Sequence, residues 1–227
     1  MHLGLIGGIG PAATDYYYRG LIDRHAAAGT VLDLTIVHAD AREMTGNLAR
    51  GDAQSQAHIF AALIGRLAAA GAIAAAITSM GGHFCIRELE AISPLPLVNG
   101  VVAVNAAIAN KGFKRVGVIG TRTVMETRLY GAVSAEVVAP AGGDLNEVHQ
   151  AYIDMAISGR VTEAQREIFF SAGEALCRAQ GAQAVMLGGT DLCLTFDGQD
   201  CGFPLIDCAA IHIDAIYARS VADAPAQ

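Results

Sequence analysis

The chain has 227 residues, of which 53% are hydrophobic and 16% are charged, and its formal net charge is −7 at pH 7. This length can bury a full core in one domain or in two small ones, and the composition excludes a disordered chain. With 15 Lys and Arg and no basic stripe, a nucleic-acid partner is not expected.

The mean hydropathy is high, at +0.40, which raises the question of a membrane protein. The longest apolar run, residues 67–80, is shorter than the roughly 20 residues that a spanning helix needs. Met1-His2-Leu3 begins a strand without a signal-peptide pattern, so we predict a cytoplasmic protein with no membrane contact. The five cysteines form no CxxC pair and predict neither a disulfide framework nor a metal site.

In chain order, the first half alternates apolar strands with amphipathic helices. Its predicted strands are 2–7, 32–37, 71–77 and 96–98, and its predicted helices are 12–28, 54–70 and 86–92. Residues 38–44, after the second strand, are predicted to form a polar loop.

The second half follows the same scheme. Its predicted strands are 115–120, 135–138, 181–186 and 203–206, and its predicted helices are 101–110, 146–158, 162–179 and the segment from 207. A linker is predicted around 140–143, and the tail from Asp223 is predicted to be disordered.

The two halves repeat one another at an interval of about 110 residues. Gly4-Leu5-Ile6-Gly7 corresponds to Gly117-Val118-Ile119-Gly120, and Pro96-Leu97-Val98 corresponds to Pro204-Leu205-Ile206. An apolar strand ending in a Gly-rich turn occurs in both halves, and it aligns Ser79 with Gly189. We therefore predict an α/β protein of two pseudo-symmetric Rossmann-like domains with parallel sheets, and a ligand cleft between them.

Two segments of the first half are candidates for ligand contact. Gly8 and Ile9 lie in a Gly-rich turn before a helix, where the backbone can approach an anion. The turn is not GxGxxG, so a dinucleotide is not favoured, and an ordinary strand-to-helix turn is the alternative. Arg42 can hold a carboxylate with its guanidinium fork, or it can be a solvated arginine paired with Glu43 or Asp40.

Four segments together resemble the aspartate/glutamate racemase family. They are Gly7-Gly8-Ile9-Gly10-Pro11, Gly120-Thr121-Arg122 with Met125-Glu126, Leu187-Gly188-Gly189-Thr190-Asp191-Leu192, and Ile206-Asp207-Cys208-Ala209-Ala210-Ile211-His212. The resemblance covers nearly the whole chain in order. It implies an N-terminal domain of 1–97 with 205–227, a C-terminal domain of 98–204, a homodimer, a small acidic substrate and no cofactor.

The resemblance also implies two opposed cysteines, which remove and return an α-proton on opposite faces of the substrate. This sequence has Ser79 (or Thr78, if the turn is shifted by one) at the first position and Gly189 at the second. Since glycine cannot transfer a proton, the usual two-thiol mechanism is excluded. Met80 and Gly81 also replace the family's polar residues, which predicts a roomier, less polar half-site and a substrate with one apolar arm.

Three residues are predicted to be catalytic: Ser79, His83 and Cys193. His83 is either a base near neutral pH or a histidine hydrogen-bonded within its turn, and Cys193, like Cys85, is either a reactive thiol or a buried small hydrophobe. The residues predicted to bind the substrate are Gly8, Ile9, Arg42, Thr78, Met80, Gly81, Gly82, Thr121, Arg166, Gly188, Gly189 and Thr190. Arg166 resembles a carboxylate anchor of the family, and Asp191 is expected to orient its turn rather than to react.

The sequence thus predicts a cofactor-independent isomerase that transfers a proton at a carbon alpha to a carboxylate, without the usual cysteine pair. The first alternative is a one-base lyase, decarboxylase or isomerase of the same superfamily, which suits the loss of symmetry between Ser79 and Gly189. The second alternative is a carboxylate-binding protein without catalysis.

Overall fold

The computed structural model of the chain describes residues 1–129 and 131–222. The predicted disordered tail from Asp223 lies outside the described residues. The chain divides into two compact units: the first is Met1–Gly100 with the described residues from His212 onward, and the second is Val101–Ile211.

The first unit is built on a parallel sheet with strand order β2-β1-β3. Its elements are β1 (Leu3–Gly7), α1 (Pro11–Ala27), β2 (Leu34–His38), α2 (Ala41–Arg50), α3 (Ala53–Ala69), β3 (Ala74–Ile77), a 3-10 turn (Gly81–Cys85) and α4 (Ile86–Ile92). The buried faces of α3 and β3 form its core, with Phe60, Ile64 and Leu67 fully buried. All three strands run in the same direction, so their carboxyl ends meet at one edge of the sheet.

The second unit has the same plan with one more strand, in the order β5-β4-β6-β7. Its elements are α5 (Gly100–Lys111), β4 (Arg115–Ile119), α6 (Arg122–Glu126), β5 (Glu136–Val138), α7 (Gly142–Ser158), α8 (Glu163–Gln180), β6 (Val185–Leu187), a 3-10 turn (Thr190–Leu192), α9 (Cys193–Phe196) and β7 (Leu205–Asp207). The last helix, α10 (Cys208–Val221), begins in the second unit and belongs to the first unit from His212 onward. All of its strand pairs are parallel.

Matching backbone hydrogen bonds show that the two units are copies of one design. The amide of Thr78 donates to the carbonyl of Ile6 at 3.0 Å, and the amide of Gly188 donates to the carbonyl of Ile119 at 2.8 Å. Each bond joins the residue that follows β3 or β6 to the neighbouring strand, which is β1 or β4. The residue that follows is Ser79 in the first unit and Gly189 in the second, so these two positions are equivalent. The predicted α/β fold with two pseudo-symmetric units and parallel sheets is confirmed.

Close packing between a helix and the central strand is also repeated. A Cβ atom at Gly4 would lie 2.7 Å from Cδ1 of Leu67 on α3, and one at Gly117 would lie 3.0 Å from Cδ1 of Leu176 on α8. Glycine in each central strand therefore lets a leucine from the covering helix sit directly on the sheet. This packing explains why both repeats of the sequence carry glycine at this point.

Some predicted boundaries differ from the structure. The loop predicted at 38–44 contains the start of α2, because Asp40 caps that helix by accepting from the amides of Arg42 and Glu43. The strand predicted at 96–98 is a single bridge between Ala75 and Leu97. The predicted domain limits differ at 98–100 and at 205–211, because β7 pairs with β6 in the second unit. Within the described residues, no helix is long and apolar enough to cross a membrane.

Candidate functional site

The carboxyl ends of β1 and β3 are tied together by the hydroxyl of Thr14. Its Oγ1 accepts from the amide of Gly8 at 2.9 Å, donates to the carbonyl of Gly10 at 3.0 Å, and lies 3.5 Å from Oγ1 of Thr78. Thr78 is fully buried, and its hydroxyl donates back to the carbonyl of Ile6. The predicted binding residues Gly8 and Thr78 are therefore brought together at one sheet edge, and the side chain of Thr78 is occupied by structural bonds.

The imidazole of His38 lies over the same edge. His38 is the last residue of β2, its side chain is exposed, and its register partner in β1 is Gly7. A Cβ atom at Gly8, whose φ is +91°, would lie 2.5 Å from Cε1 of His38. Glycine at position 8 thus serves both the left-handed backbone and the close approach of this ring.

Ser79 presents a hydroxyl at the end of β3. The residue is partly exposed, and its Oγ accepts from the amide of Gly82 at 3.2 Å. A Cβ atom at Gly82 would be 3.6 Å from Cβ of Ser79 and 3.4 Å from Cδ1 of Ile9, so Gly82 and Ile9 adjoin Ser79. Met80 is fully buried, and Gly81 lies beside the hydroxyl of Ser79. An exposed hydroxyl among small neighbours leaves room for a ligand on the first unit.

His83 is held by the backbone through both ring nitrogens. Its Nδ1 donates to the carbonyl of Ser79 at 2.8 Å, and its Nε2 accepts from the amide of Gly100 at 3.1 Å. Burial lowers the pKa of His83 to about 4, so the ring is neutral near pH 7. With its lone pair already bound, His83 has the geometry of a residue that positions the Ser79 turn.

A second buried histidine stands beside the first. The rings of His83 and His212 are 5.3 Å apart and nearly perpendicular. His212 donates from Nε2 to the carbonyl of Val98 at 2.8 Å and accepts at Nδ1 from the hydroxyl of Tyr17 at 2.9 Å. Burial, together with the neighbouring His83, lowers the pKa of His212 to about 3. Both imidazoles are neutral structural groups beneath the turn.

At the end of β6, the space next to Gly189 is filled by Tyr152 of α7. A Cβ atom at Gly189 would lie 2.5 Å from Cζ and 2.6 Å from the hydroxyl oxygen of Tyr152. Tyr152 is 7% exposed, and its hydroxyl donates to Oδ2 of the buried Asp191 at 2.9 Å. Burial, followed by the Asp191 carboxylate, raises the pKa of Tyr152 well above its usual value. Asp191 therefore accepts a hydrogen bond from a neutral phenol.

The other predicted residues of this turn are also buried. A Cβ atom at Gly188 would lie 2.5 Å from Cγ1 of Val124, so that glycine is needed for close packing. Thr190 is 3% exposed, and within the described residues its hydroxyl has no hydrogen-bond partner. Thr121 caps α6 by accepting from the amide of Val124. Thr190 is thus the hydroxyl of this turn that a ligand could engage.

The cysteines near the two turns are poor candidates for thiolates at neutral pH. Burial, and then the nearby Asp191 carboxylate, raise the pKa of Cys193 to about 12. Burial likewise raises the pKa of Cys85 to about 12, and its thiol points to the carbonyl of Gly82. The structure gives neither cysteine the positive surroundings that lower a thiol pKa in reactive sites.

The two predicted arginine anchors lie in different settings. Arg42 is exposed in the first turn of α2. Arg166 lies on α8, where its guanidinium donates to the carbonyl of Thr195 and is 3.7 Å from the carboxylate of Glu163. The described contacts of Arg166 are therefore with α9 and α8, and they do not include the turn at 188–191.

One groove of the second unit does not include the turn at 188–191. It has a volume of about 700 Å³ between α7 and α8, and Asp144, Glu147 and Glu167 line it. These carboxylates would repel an acidic substrate. Within the described parts of the chain, no group of three His, Cys, Asp or Glu residues is arranged to hold a metal ion.

Comparison with known proteins decides the family. The model of the Asp/Glu/hydantoin racemase family matches residues 6–216. The chain belongs to the Asp/Glu/hydantoin racemase family. A candidate Asp/Glu racemase from Yersinia pestis has a similar structure, with a TM-score of 0.80 and 28% identity over 98% of this chain and 100% of that one.

Two structures of lower sequence identity share the fold. An aspartate racemase homologue from Pyrococcus horikoshii is 24% identical over 96% of this chain and 99% of its own, with a TM-score of 0.79. A glutamate racemase from Francisella tularensis, solved with D-glutamate, is 16% identical over 98% of this chain and 81% of its own, with a TM-score of 0.66.

Two candidate residues in this racemase-family chain were missed by sequence reasoning. His38 ends a strand and was grouped with a polar loop, although a histidine at a strand's carboxyl end in a parallel sheet is itself a signal. Tyr152 lies inside a helix 37 residues before Gly189, and only the three-dimensional structure brings the two together.

Proposed function

We propose that the chain catalyses cofactor-independent proton transfer at the carbon alpha to a carboxylate of a small acidic substrate, without a cysteine pair. Membership of the Asp/Glu/hydantoin racemase family supports the reaction class. The observation that carries the proposal is the arrangement at the ends of β1, β2 and β3, where a partly exposed hydroxyl, Ser79, and an exposed imidazole, His38, occupy one sheet edge.

The roles follow from ordinary acid–base chemistry. An imidazole nitrogen can act as a general base, which a serine hydroxyl cannot do unaided. We therefore assign the proton acceptor to His38. We assign to Ser79 a hydrogen bond that stabilises the negative charge that develops on the substrate carboxylate. His83 holds the Ser79 turn in place.

The remaining features of the site are also proposals. Arg42, exposed in the first turn of α2, is assigned to carboxylate binding. Thr190 is assigned to ligand contact in the second unit because its buried hydroxyl has no partner among the described residues. The homodimer, the cytoplasmic location and the substrate with one apolar arm stay predictions. A one-base lyase or decarboxylase is the second candidate, favoured by the phenol that fills the space beside Gly189.

The test is α-proton exchange in D₂O, followed by NMR with L- and D-aspartate, L- and D-glutamate, and a panel of malonate and succinate derivatives. We expect His38→Ala and Ser79→Ala each to slow exchange by about 100-fold or more. His58→Ala is the matched control, because His58 is an exposed histidine of α3 in the same unit. Carbon dioxide release would favour the lyase, and binding without exchange would identify a carboxylate-binding protein.

A further inference from the structure

Only glycine fits at position 189, at the end of β6, because the side chain of Tyr152 fills the space beside it. The backbone of Gly189 is extended, with φ −133° and ψ 131°, a conformation open to any residue. A Cβ atom there would nevertheless meet the phenol of Tyr152 at 2.5–2.6 Å, which is closer than non-bonded atoms approach. Gly189 and Tyr152 are therefore a matched pair.

The equivalent position in the first unit is arranged differently. Ser79 follows β3 as Gly189 follows β6, by the matching hydrogen bonds of Thr78 and Gly188. The Ser79 side chain is partly exposed, whereas Gly189 is buried. The two units thus have equivalent backbones, but only the first has an accessible functional group at this position.

The group that fills the second position cannot accept a proton from carbon. The Tyr152 hydroxyl donates to the Asp191 carboxylate, and both residues are more than nine-tenths buried. A tyrosinate next to that carboxylate would place two negative charges together in a site of low polarity, which is strongly unfavourable. The raised pKa of Tyr152 agrees with this geometry.

We propose that Tyr152 closes the proton-transfer position at the end of β6, so that this chain exchanges the α-proton of its substrate on one face only. The inference rests on the proposed function. In D₂O, the α C–H bond breaks and its proton passes to the base of the first unit, while the electron pair delocalises into the carboxylate. The protonated base exchanges with solvent and returns a deuteron to the same face, so configuration is retained.

The decisive experiment restores the missing group. In Tyr152→Ala/Gly189→Cys, the phenol is removed and a thiol is placed at the end of β6. We expect the wild type to exchange the α-proton with retention, and the double variant to exchange with inversion, measured by NMR in D₂O and by chiral chromatography. Tyr152→Phe keeps the ring and should also give retention only, and Tyr18→Phe, an exposed tyrosine of α1, is the unchanged control.

Three results would overturn the inference. The first is inversion by the wild type, which would leave the proposed function standing. The second is a loss of exchange by more than about 100-fold in folded Tyr152→Phe, because it would make the phenol a proton donor. The third is retention in a folded, active double variant. Absence of exchange in the wild type would instead refute the proposed function, and this inference would fall with it.

A measurement that needs no substrate tests the steric pairing. Gly189→Ala should lower the midpoint of thermal unfolding by about 4 °C or more in the wild type. The same substitution should have much less effect in Tyr152→Ala, where the ring is absent. Equal shifts in the two backgrounds would show that Tyr152 does not exclude a side chain at position 189, and would overturn the proposal.

Discussion

His83 shows how a residue suited to catalysis can be used for structure. The sequence left two roles open for it, a base or a histidine bound within its turn. In the structure its ring bridges the carbonyl of Ser79 and the amide of Gly100. Because a Cβ atom at Gly100 would lie 3.1 Å from Nε2 of His83 and 2.8 Å from Nδ1 of His212, glycine at position 100 is part of the same arrangement.

Replacing His83 by alanine is therefore expected to cost stability. The change leaves two backbone groups without partners and opens a cavity, which together should lower the free energy of unfolding by about 2–4 kcal/mol. Urea unfolding of His83→Ala measures this, and the exposed His58→Ala should change by less than about 0.5 kcal/mol. Unchanged stability combined with lost proton exchange would restore His83 as a base.

At the scale of elements, most helices and strands could be predicted because their apolar spacing matches the burial they adopt. The helix predicted at 86–92 is α4, Ile86–Ile92, and the one predicted at 162–179 is α8, Glu163–Gln180. Two of the errors lie at helix starts inside segments that were predicted to be loops. Asp40 starts α2 inside a polar segment, and α7 begins at Gly142 inside the predicted linker.

The capping box of α8 gives an element-scale prediction. Thr162 accepts from the amide of Gln165, and the Gln165 side chain accepts from the amide of Thr162. Thr162→Ala should lower the free energy of unfolding by about 1 kcal/mol, because amides of the first turn lose their partner. Thr45→Ala is the matched control, since Thr45 is exposed inside α2 and alanine favours helix interiors. Equal losses in chemical denaturation would contradict a capping role.

At the scale of the whole chain, the duplication could be read from the sequence because each unit needs the same strand-end bonds. The functional difference between the two copies could not be predicted from the sequence. It depends on the position of Tyr152 against Gly189 and of His38 against Gly8, and these contacts join residues far apart in the chain. The spacing of residues in the sequence predicts which turns follow the strand ends. The packing of side chains from distant segments determines which functional groups each turn presents.

The buried histidines make the stability of the chain depend on pH. The pKa values of His83 and His212 are lowered to about 4 and about 3, whereas an unfolded histidine has a pKa of about 6.5. Since the unfolded chain binds these protons first, both residues contribute full stability above about pH 6.5 and lose it as pH falls towards 4. Burial also lowers the pKa values of His25 and His149, which add in the same direction.

We therefore expect His83 and His212 each to lower the free energy of unfolding by roughly 2 kcal/mol between pH 7 and pH 5. Urea unfolding at intervals across this range measures it, at pH values above the ordinary titration of carboxylates. His83→Gln removes one titrating ring and should reduce the slope by about one proton per molecule. A free energy of unfolding that does not change between pH 7 and pH 5 would contradict this prediction. It would mean that the rings of His83 and His212 are charged or exposed in the folded chain, against their hydrogen bonds to Gly100 and Val98.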